Sequence, residues 1–198
     1  MPTSKSSRKS TPDKSDAIAL LKADHREVED AFEQFKKARD DRRRQELATQ
    51  ICNALKVHTT IEEEIFYPAF LEATNDADLH HEAEVEHEGA KKLIAEIEAC
   101  SPDDEYFKAK VTVLSEMIKH HVNEEEKRGG MFAEARHADM DLAALGEQMA
   151  ARKAELEESG GRKGARAATS SRGNQNAEVG EELWSSRGDG RKHRHAGR

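Results

Sequence analysis

Four histidines and two glutamates recur along the chain in an order that could bind metal ions. They are His25, His58, Glu62, His87, His121 and Glu125. The arrangement repeats, because 33 residues separate the first two histidines and 34 separate the last two. Each glutamate follows a histidine by four residues, which places both groups on one face of a helix. Imidazole and carboxylate ligands together suit iron, manganese or zinc.

Each of these residues falls within a stripe of apolar positions that has helical spacing. The stripes run through positions 18, 21, 25, 28, 32, 35; 51, 55, 58, 62, 65, 69; 83, 87, 90, 94, 97; and 107, 111, 114, 118, 121, 125. In an antiparallel pair of helices, residues equidistant from the turn meet at one level. The midpoints between successive candidate ligands fall near residues 41, 75 and 104, all in polar runs. We therefore expect all six side chains in one layer of a bundle.

Two carboxylates inside a helical core require positive partners. Burying an unpaired carboxylate costs several kcal/mol even after relaxation, and bound metal cations would offset that cost. The set contains no cysteine, and its two carboxylates could each bridge two ions. This combination favours a centre of two iron ions, in which an oxo or hydroxo bridge would fill two of the coordination positions that the six side chains leave.

The surrounding sequence predicts an all-α fold. Helical periodicity covers about 16–38, 42–73 and 76–99, then a fourth stretch after Ser101-Pro102 and a short fifth over about 138–157. We expect Asp16 and Ser101 to cap the first and fourth helices. Pro68 should disturb the end of the second helix. The pair Gly129-Gly130 should interrupt the fourth helix. Short connections between long helices predict an up-down-up-down antiparallel four-helix bundle over residues 16–158.

Composition and charge limit the classes of function. The net charge is −8, yet residues 1–15 hold four basic residues against one acidic, and residues 159–198 hold nine against four. Both segments are expected to be disordered basic tails. The intervening body, at −16, is a poor surface for nucleic acid. The sequence contains no apolar run that suits a membrane span or a secretory signal. Its two cysteines are expected to be reduced and unpaired. On these two grounds we predict a cytoplasmic protein.

The ordered pattern resembles the hemerythrin-like HHE cation-binding domains. The local contexts LLKADHREVE, HTTIEEEIFYPAF, EHEGAKKLI and HHVNEEE carry this resemblance, which covers residues 16 to about 137. It implies a four-helix bundle with a non-haem di-iron centre whose ligands are the six residues named above. The chain departs from the oxygen-carrying hemerythrins, whose third helix offers two histidines four residues apart. Here Ala83 and Lys91 stand four residues from His87, which argues against simple reversible oxygen carriage.

The resemblance implies a protein that reacts with or senses dioxygen, hydrogen peroxide or nitric oxide in oxidative stress. Peroxide-consuming activity of a catalase or peroxidase kind is one form this could take. Iron sensing without redox turnover and a helical interaction module with vestigial histidines are the alternatives. Neither the substrate nor the oligomeric state follows from the sequence.

The other polar residues near the stripes have simpler interpretations. His80, His81, His120 and His137 are expected at the surface, because they lie off the stripes or away from the layer. Glu84, one turn from His87, is considered as a hydrogen-bond acceptor for that histidine, although a solvated position is favoured. Tyr67 could line the site, but packing within the bundle is the favoured interpretation.

Overall fold

A computed structural model describes the backbone of residues 16–175 and the side chains of residues 16–160. Seven α-helices and one π-helical turn account for the regular structure of this part of the chain. They are α1 (Ala17–Lys37), α2 (Asp41–Ile61), the π turn (Glu62–Phe66), α3 (Tyr67–Thr74), α4 (Ala77–Ala99), α5 (Phe107–Glu126), α6 (Met131–His137) and α7 (Leu142–Gln175). No strand occurs among residues 16–175, so the predicted all-α class is confirmed.

The long helices are separated by short connections that carry helix caps. Asp16 accepts a hydrogen bond from the backbone N–H of Ala19, as its position in the sequence predicts. Asp40 caps α2 in the same way, and Asp76 caps α4. Because only a few residues join α1 to α2 and α3 to α4, neighbouring helices run antiparallel and form the predicted helical bundle.

The second predicted helix is continuous in space but contains the π turn. The N–H of Tyr67 donates to the carbonyl of Glu62, five residues back, and Pro68 follows with no N–H of its own. The extra residue shifts the buried face by one position. Phe66 and Phe70 are therefore buried, whereas Ile65 and Ala69, which the unbroken stripe predicted to be buried, are partly exposed.

The expected start of the fourth helix was wrong. Residues 101–106 form turns, and α5 begins only at Phe107. The Ser101 hydroxyl donates to the Asp103 carboxylate instead of accepting from a helix N–H. Asp104 in turn accepts from the backbone N–H of Tyr106, which keeps this segment in turn geometry.

The part of the chain between α5 and residue 175 is more helical than expected. After the break at Gly129-Gly130, the short helix α6 precedes α7, which continues to Gln175 instead of ending near residue 157. The backbone of residues 159–175 is thus helical although the sequence shows no helical periodicity there, and the assignment of 159–198 as a basic tail stays a prediction. The predicted tails over 1–15 and 176–198 lie outside the described residues. The compact unit that contains the bundle ends at Glu157.

Two apolar clusters fill the bundle, and a histidine of the six polar residues separates them along α1, α2 and α4. One cluster includes Phe32, Ile51, Ile94 and Leu114, and the other includes Leu21, Phe66, Phe70, Phe132 and Met149. In α1, for example, His25 lies between the part of the helix that joins one cluster and the part that joins the other. No helix among the described residues is long and apolar enough to cross a membrane.

Candidate metal centre

The structure brings all six sequence-predicted residues together in one buried layer. Their exposed fractions are at most 4%, and Glu62 is fully buried. The histidines form two pairs with their Nε2 atoms facing each other. The Nε2 atoms of His25 and His58 lie 3.2 Å apart, and those of His87 and His121 lie 3.3 Å apart.

Each glutamate lies between histidines of the two pairs. One Glu62 oxygen is 3.2 Å from Nε2 of His58 and 3.4 Å from Nε2 of His87. One Glu125 oxygen is 3.4 Å from Nε2 of His25 and 3.6 Å from Nε2 of His121. The ligand-type atoms form two groups within which all atoms lie inside 4.8 Å. The groups are His25, His58, Glu62 and Glu125, and Glu62, His87 and His121. Glu62 belongs to both groups and therefore joins them. The imidazole and carboxylate atoms of each group lie close enough together to hold a metal ion.

Hydrogen bonding inside the layer is incomplete. Neither carboxylate oxygen of Glu62 has a hydrogen-bond partner, and one oxygen of Glu125 has none either. Buried polar groups are otherwise almost always satisfied, and an unsatisfied carboxylate in a core is costly. A cation between the imidazoles would contact these oxygens, so the donor set fits a metal ion.

The outward Nδ1 atoms of the four histidines face a second set of carboxylates that residue spacing did not predict. Three of these contacts are hydrogen bonds of 2.8 Å, in which Nδ1 donates to a carboxylate: His25 to Glu126, His87 to Glu63 and His121 to Glu86. The fourth contact is longer, since Nδ1 of His58 lies 3.7 Å from Asp24. A proton held on Nδ1 leaves Nε2 free to bind a metal, and it fixes the ring orientation.

These four outer carboxylates form a closed ring around the bundle. Asp24 of α1 faces His58 of α2, and Glu63 of the π turn faces His87 of α4. Glu86 of α4 faces His121 of α5, and Glu126 of α5 faces His25 of α1, which closes the ring. Each outer carboxylate is adjacent in sequence to a candidate ligand but contacts the histidine of a different helix. In the sequence, these carboxylates could have been found as the acidic residue that stands next to a candidate ligand in each of the four helical segments.

Cationic groups hold the outer carboxylates in turn. Lys153 of α7 lies 2.6 Å from Asp24, Lys91 lies 2.7 Å from Glu63, and Lys22 lies 3.1 Å from Glu126. The exposed His120 lies 3.2 Å from Glu86. The predicted surface position of His120 is confirmed, since 62% of its side chain is exposed.

The charges in the layer shift its pKa values in opposite directions. Burial alone would lower the pKa of His87, but contacts with Glu62 and Glu63 outweigh burial and raise this pKa to about 9. Burial would also lower the pKa of His25, but Glu125, Glu62 and Glu126 together outweigh burial and raise this pKa. Burial would raise the pKa of Glu62, yet His58 and His87 lower it. In the absence of metal, protons therefore provide part of the positive charge that the carboxylates require.

Tyr67 contacts the site, contrary to the packing interpretation that the sequence favoured. Its hydroxyl donates to the second oxygen of Glu125 at 3.2 Å and lies 3.3 Å from Nε2 of His87. The unbroken helical stripe could not place Tyr67 here, because the π turn shifts the register by one residue. Glu84 does not contact His87 and instead lies 3.6 Å from His80.

A small cavity adjoins the histidine layer. Its walls are formed by the four histidines, Asp24, Thr59 and the apolar residues Val28, Leu55, Ile118 and Val122. The cavity volume is about 10 Å³, close to the minimum that one water molecule requires. Only a very small molecule could approach the imidazoles from this side without a rearrangement of the bundle.

Comparisons with known proteins agree with this geometry. The profile of the hemerythrin HHE cation-binding domain matches residues 16–135. A DNA nickase from Nostoc sp. is 30% identical over 118 residues, which is 60% of this chain and 33% of the nickase. The chain thus spans about a third of the length of that relative. The crystal structure of a hemerythrin HHE cation-binding domain-containing protein from Mycobacterium kansasii shares the fold, with a TM-score of 0.61 at 23% identity, over 73% of this chain and 88% of that one.

Proposed function

We propose that this chain, which belongs to the hemerythrin HHE cation-binding domain family, holds two non-haem iron ions and reacts with or senses dioxygen, hydrogen peroxide or nitric oxide. His25 and His58 would hold one ion, and His87 and His121 would hold the other. Glu62 and Glu125 would contact both ions, since each carboxylate lies between histidines of the two pairs.

The observation that carries this proposal is the set of unpartnered carboxylate oxygens on Glu62 and Glu125. They lie within 3.6 Å of four Nε2 atoms in a fully buried layer. Imidazole and carboxylate ligands without thiolates suit iron among the available transition metals. Two carboxylates shared between two histidine pairs favour two ions over one.

Bound iron would supply redox chemistry and coordination positions for small oxygen- or nitrogen-containing molecules. The residues of the chain would set what reaches it and where protons lie. The cavity of about 10 Å³ has room for about one water molecule, which disfavours organic substrates and agrees with a very small ligand. Burial, together with Glu62 and Glu125, raises the pKa of Tyr67 well above its usual value. Its hydroxyl therefore keeps its proton and donates a hydrogen bond to Glu125.

The likeness to a DNA nickase does not extend our proposal to nucleic acid. The match leaves about two thirds of that protein without a counterpart in this chain. The body between the terminal segments is strongly acidic, which disfavours contact with phosphate backbones. We assign the shared segment to metal binding.

Peroxide consumption and nitric oxide binding test the proposal directly. Iron-loaded wild type should remove hydrogen peroxide or show a nitric oxide-dependent optical change. Glu125→Ala should lose these responses, while Glu124→Ala, a change at the neighbouring partly exposed position, should keep them.

Each alternative function gives a different result in this experiment. Loaded wild type that binds oxygen reversibly and responds to neither reagent would indicate a carrier. Loaded protein that responds to none of the three molecules would favour iron sensing. Purified protein that holds no iron would favour an interaction module.

A further inference from the structure

A second group of metal-ligating side chains lies outside the buried layer, near the start of α4. It consists of His80, His81 and Glu84, whose ligand-type atoms all lie within 4.8 Å of one another. His80 and Glu84 are four residues apart on one helical face, with Nδ1 of His80 3.6 Å from the carboxylate. The rings of His80 and His81 have centroids 5.6 Å apart. From this geometry we propose a third metal site, for a divalent transition-metal ion.

The Nδ1 atom of His80 gives independent support for a ligand here. This atom is buried and has no hydrogen-bond partner, although the residue as a whole is only partly buried. Its ring packs edge-on against Tyr67, with centroids 5.9 Å apart, so the side chain is held in place. A fixed nitrogen without a partner, beside a carboxylate just beyond hydrogen-bond distance, is the arrangement that an inserted ion would complete.

The local charge favours a cation. Residues 76–88 contain six acidic residues and no lysine or arginine. His81 and Glu84 also line an open groove along α4, so an ion could reach them from solvent. Lys91 and Lys92 line the same groove, but Lys91 is paired with Glu63 and Glu88. The field at the three ligands is therefore dominated by carboxylates.

The ligand types select the class of ion. Two imidazoles and one carboxylate suit Fe²⁺, Co²⁺, Ni²⁺ or Zn²⁺, whereas Mg²⁺ and Ca²⁺ prefer oxygen ligands alone. Three protein ligands leave positions for water, so the ion would be held more weakly than in the buried layer. The site is separate from that layer, but Tyr67 contacts both His80 and Glu125.

A neighbouring group, Glu82, Glu86 and His120, has similar spacing but a different hydrogen-bonding state. One oxygen of Glu86 accepts from Nδ1 of His121 at 2.8 Å, and the other lies 3.2 Å from Nε2 of His120. Both oxygens are thus used within the chain. Of these two groups, the one around His80 is therefore the one with an unpartnered buried nitrogen that a metal ion could use.

Calorimetric titration of the full-length protein with Co²⁺ tests the site, after its iron content and optical spectrum have been recorded. We expect the wild type to bind one further ion per chain. The double variant His81→Ala/Glu84→Gln should bind it about 100-fold more weakly, because two of three ligands are lost. It retains His80 and thus the contact with Tyr67. His137→Ala, a change at an exposed histidine of α6, should match the wild type.

Three outcomes would overturn the assignment. They are no further ion in the wild type, equal affinity in the double variant, and loss of the ion in His137→Ala. The iron content is read separately, so a protein that holds no iron in its buried layer would contradict the proposed function, and the third site is then read from the difference in bound Co²⁺ between the wild type and the double variant.

Discussion

At the scale of single residues, the centre is built from atoms whose partners lie on other helices. Each of the four histidines of the layer directs Nε2 inward, while its Nδ1 faces a carboxylate of a neighbouring helix in the bundle. These contacts fix ring orientation before any metal binds, which reduces the cost of assembling the site. The six inner residues could be predicted from spacing, because each falls on an apolar stripe. The outer carboxylates could not, since their partners are defined only after the helices pack.

The outer carboxylate Glu63 should be required for tight metal binding although it is not among the predicted ligands. Glu63→Ala removes the acceptor for Nδ1 of His87 and should lower iron affinity about 10–100-fold. Glu64→Ala changes the next residue, which faces Arg152 at the surface, and should leave affinity unchanged. Iron competition against a chromogenic chelator measures both. Equal affinities in the two variants would contradict the orienting role.

The stability of the metal-free protein should fall as the solution becomes basic. The raised pKa of His87 means that its protonated form stabilises the fold fully below about pH 6.5, and that this stabilisation is lost as pH rises through about 9. The lowered pKa of Glu62 has the opposite pH dependence. Its ionised form stabilises the fold fully above about pH 4.5, and this stabilisation is lost as pH falls toward about 2. We expect a loss of about 1–3 kcal/mol between pH 6.5 and 9.5.

Iron-loaded protein should not show this loss, because metal replaces the proton on the imidazole. Thermal unfolding of both forms across the pH range gives the comparison. Metal-free protein that becomes more stable from pH 6.5 to 9.5 would contradict the assigned charge state of His87.

At the scale of elements, the helices and most of their ends followed from periodicity and caps. The π turn did not, because apolar periodicity assumes a constant helical repeat. Its extra residue moves Tyr67 from a packing position to the buried histidine layer and buries Phe66 in place of Ile65. Pro68 was a correct signal of disturbance, but it does not specify whether the backbone kinks or widens.

The turn after α5 contains two glycines with different requirements. Gly129 has φ of 79°, where an alanine costs about 1–2 kcal/mol. Gly130 has an ordinary φ, but an added Cβ would collide with the carbonyl of Glu124 and lie 2.9 Å from that of Glu125. Gly130→Ala should therefore cost more, about 3 kcal/mol or above.

Urea unfolding of the two alanine variants checks this order. Because the collision involves the last turn of α5, Gly130→Ala should also lower iron content, whereas Gly129→Ala should retain it. A smaller loss of stability in Gly130→Ala than in Gly129→Ala would contradict the close approach.

At the scale of the whole molecule, α7 joins the centre although it lies beyond the family match, which ends at residue 135. Met149 is fully buried in one apolar cluster, and Lys153 pairs with Asp24, which faces His58. The sequence predicted a fifth helix, but its contact with the centre depends on a long-range ion pair that periodicity cannot reveal.

Two shortened chains test the place of α7 in the fold. A chain of residues 16–160 should keep the iron content and melting temperature of the full chain. A chain of residues 16–140 should lose stability and bind iron more weakly, because it lacks both Met149 and Lys153. Circular dichroism and metal analysis of both would suffice. A fully stable, iron-loaded 16–140 chain would show that α7 does not contribute to the centre.

The most direct test of the central claim is the number of iron ions retained per chain after gel filtration in the presence of a weak chelator. The wild type should retain two. His121→Ala should retain fewer, because its side chain is 4% exposed and points into the layer. His120→Ala, a change of the preceding residue with a 62% exposed side chain, should still retain two. Wild type without tightly held iron, or a loss of iron in His120→Ala but not in His121→Ala, would contradict the account.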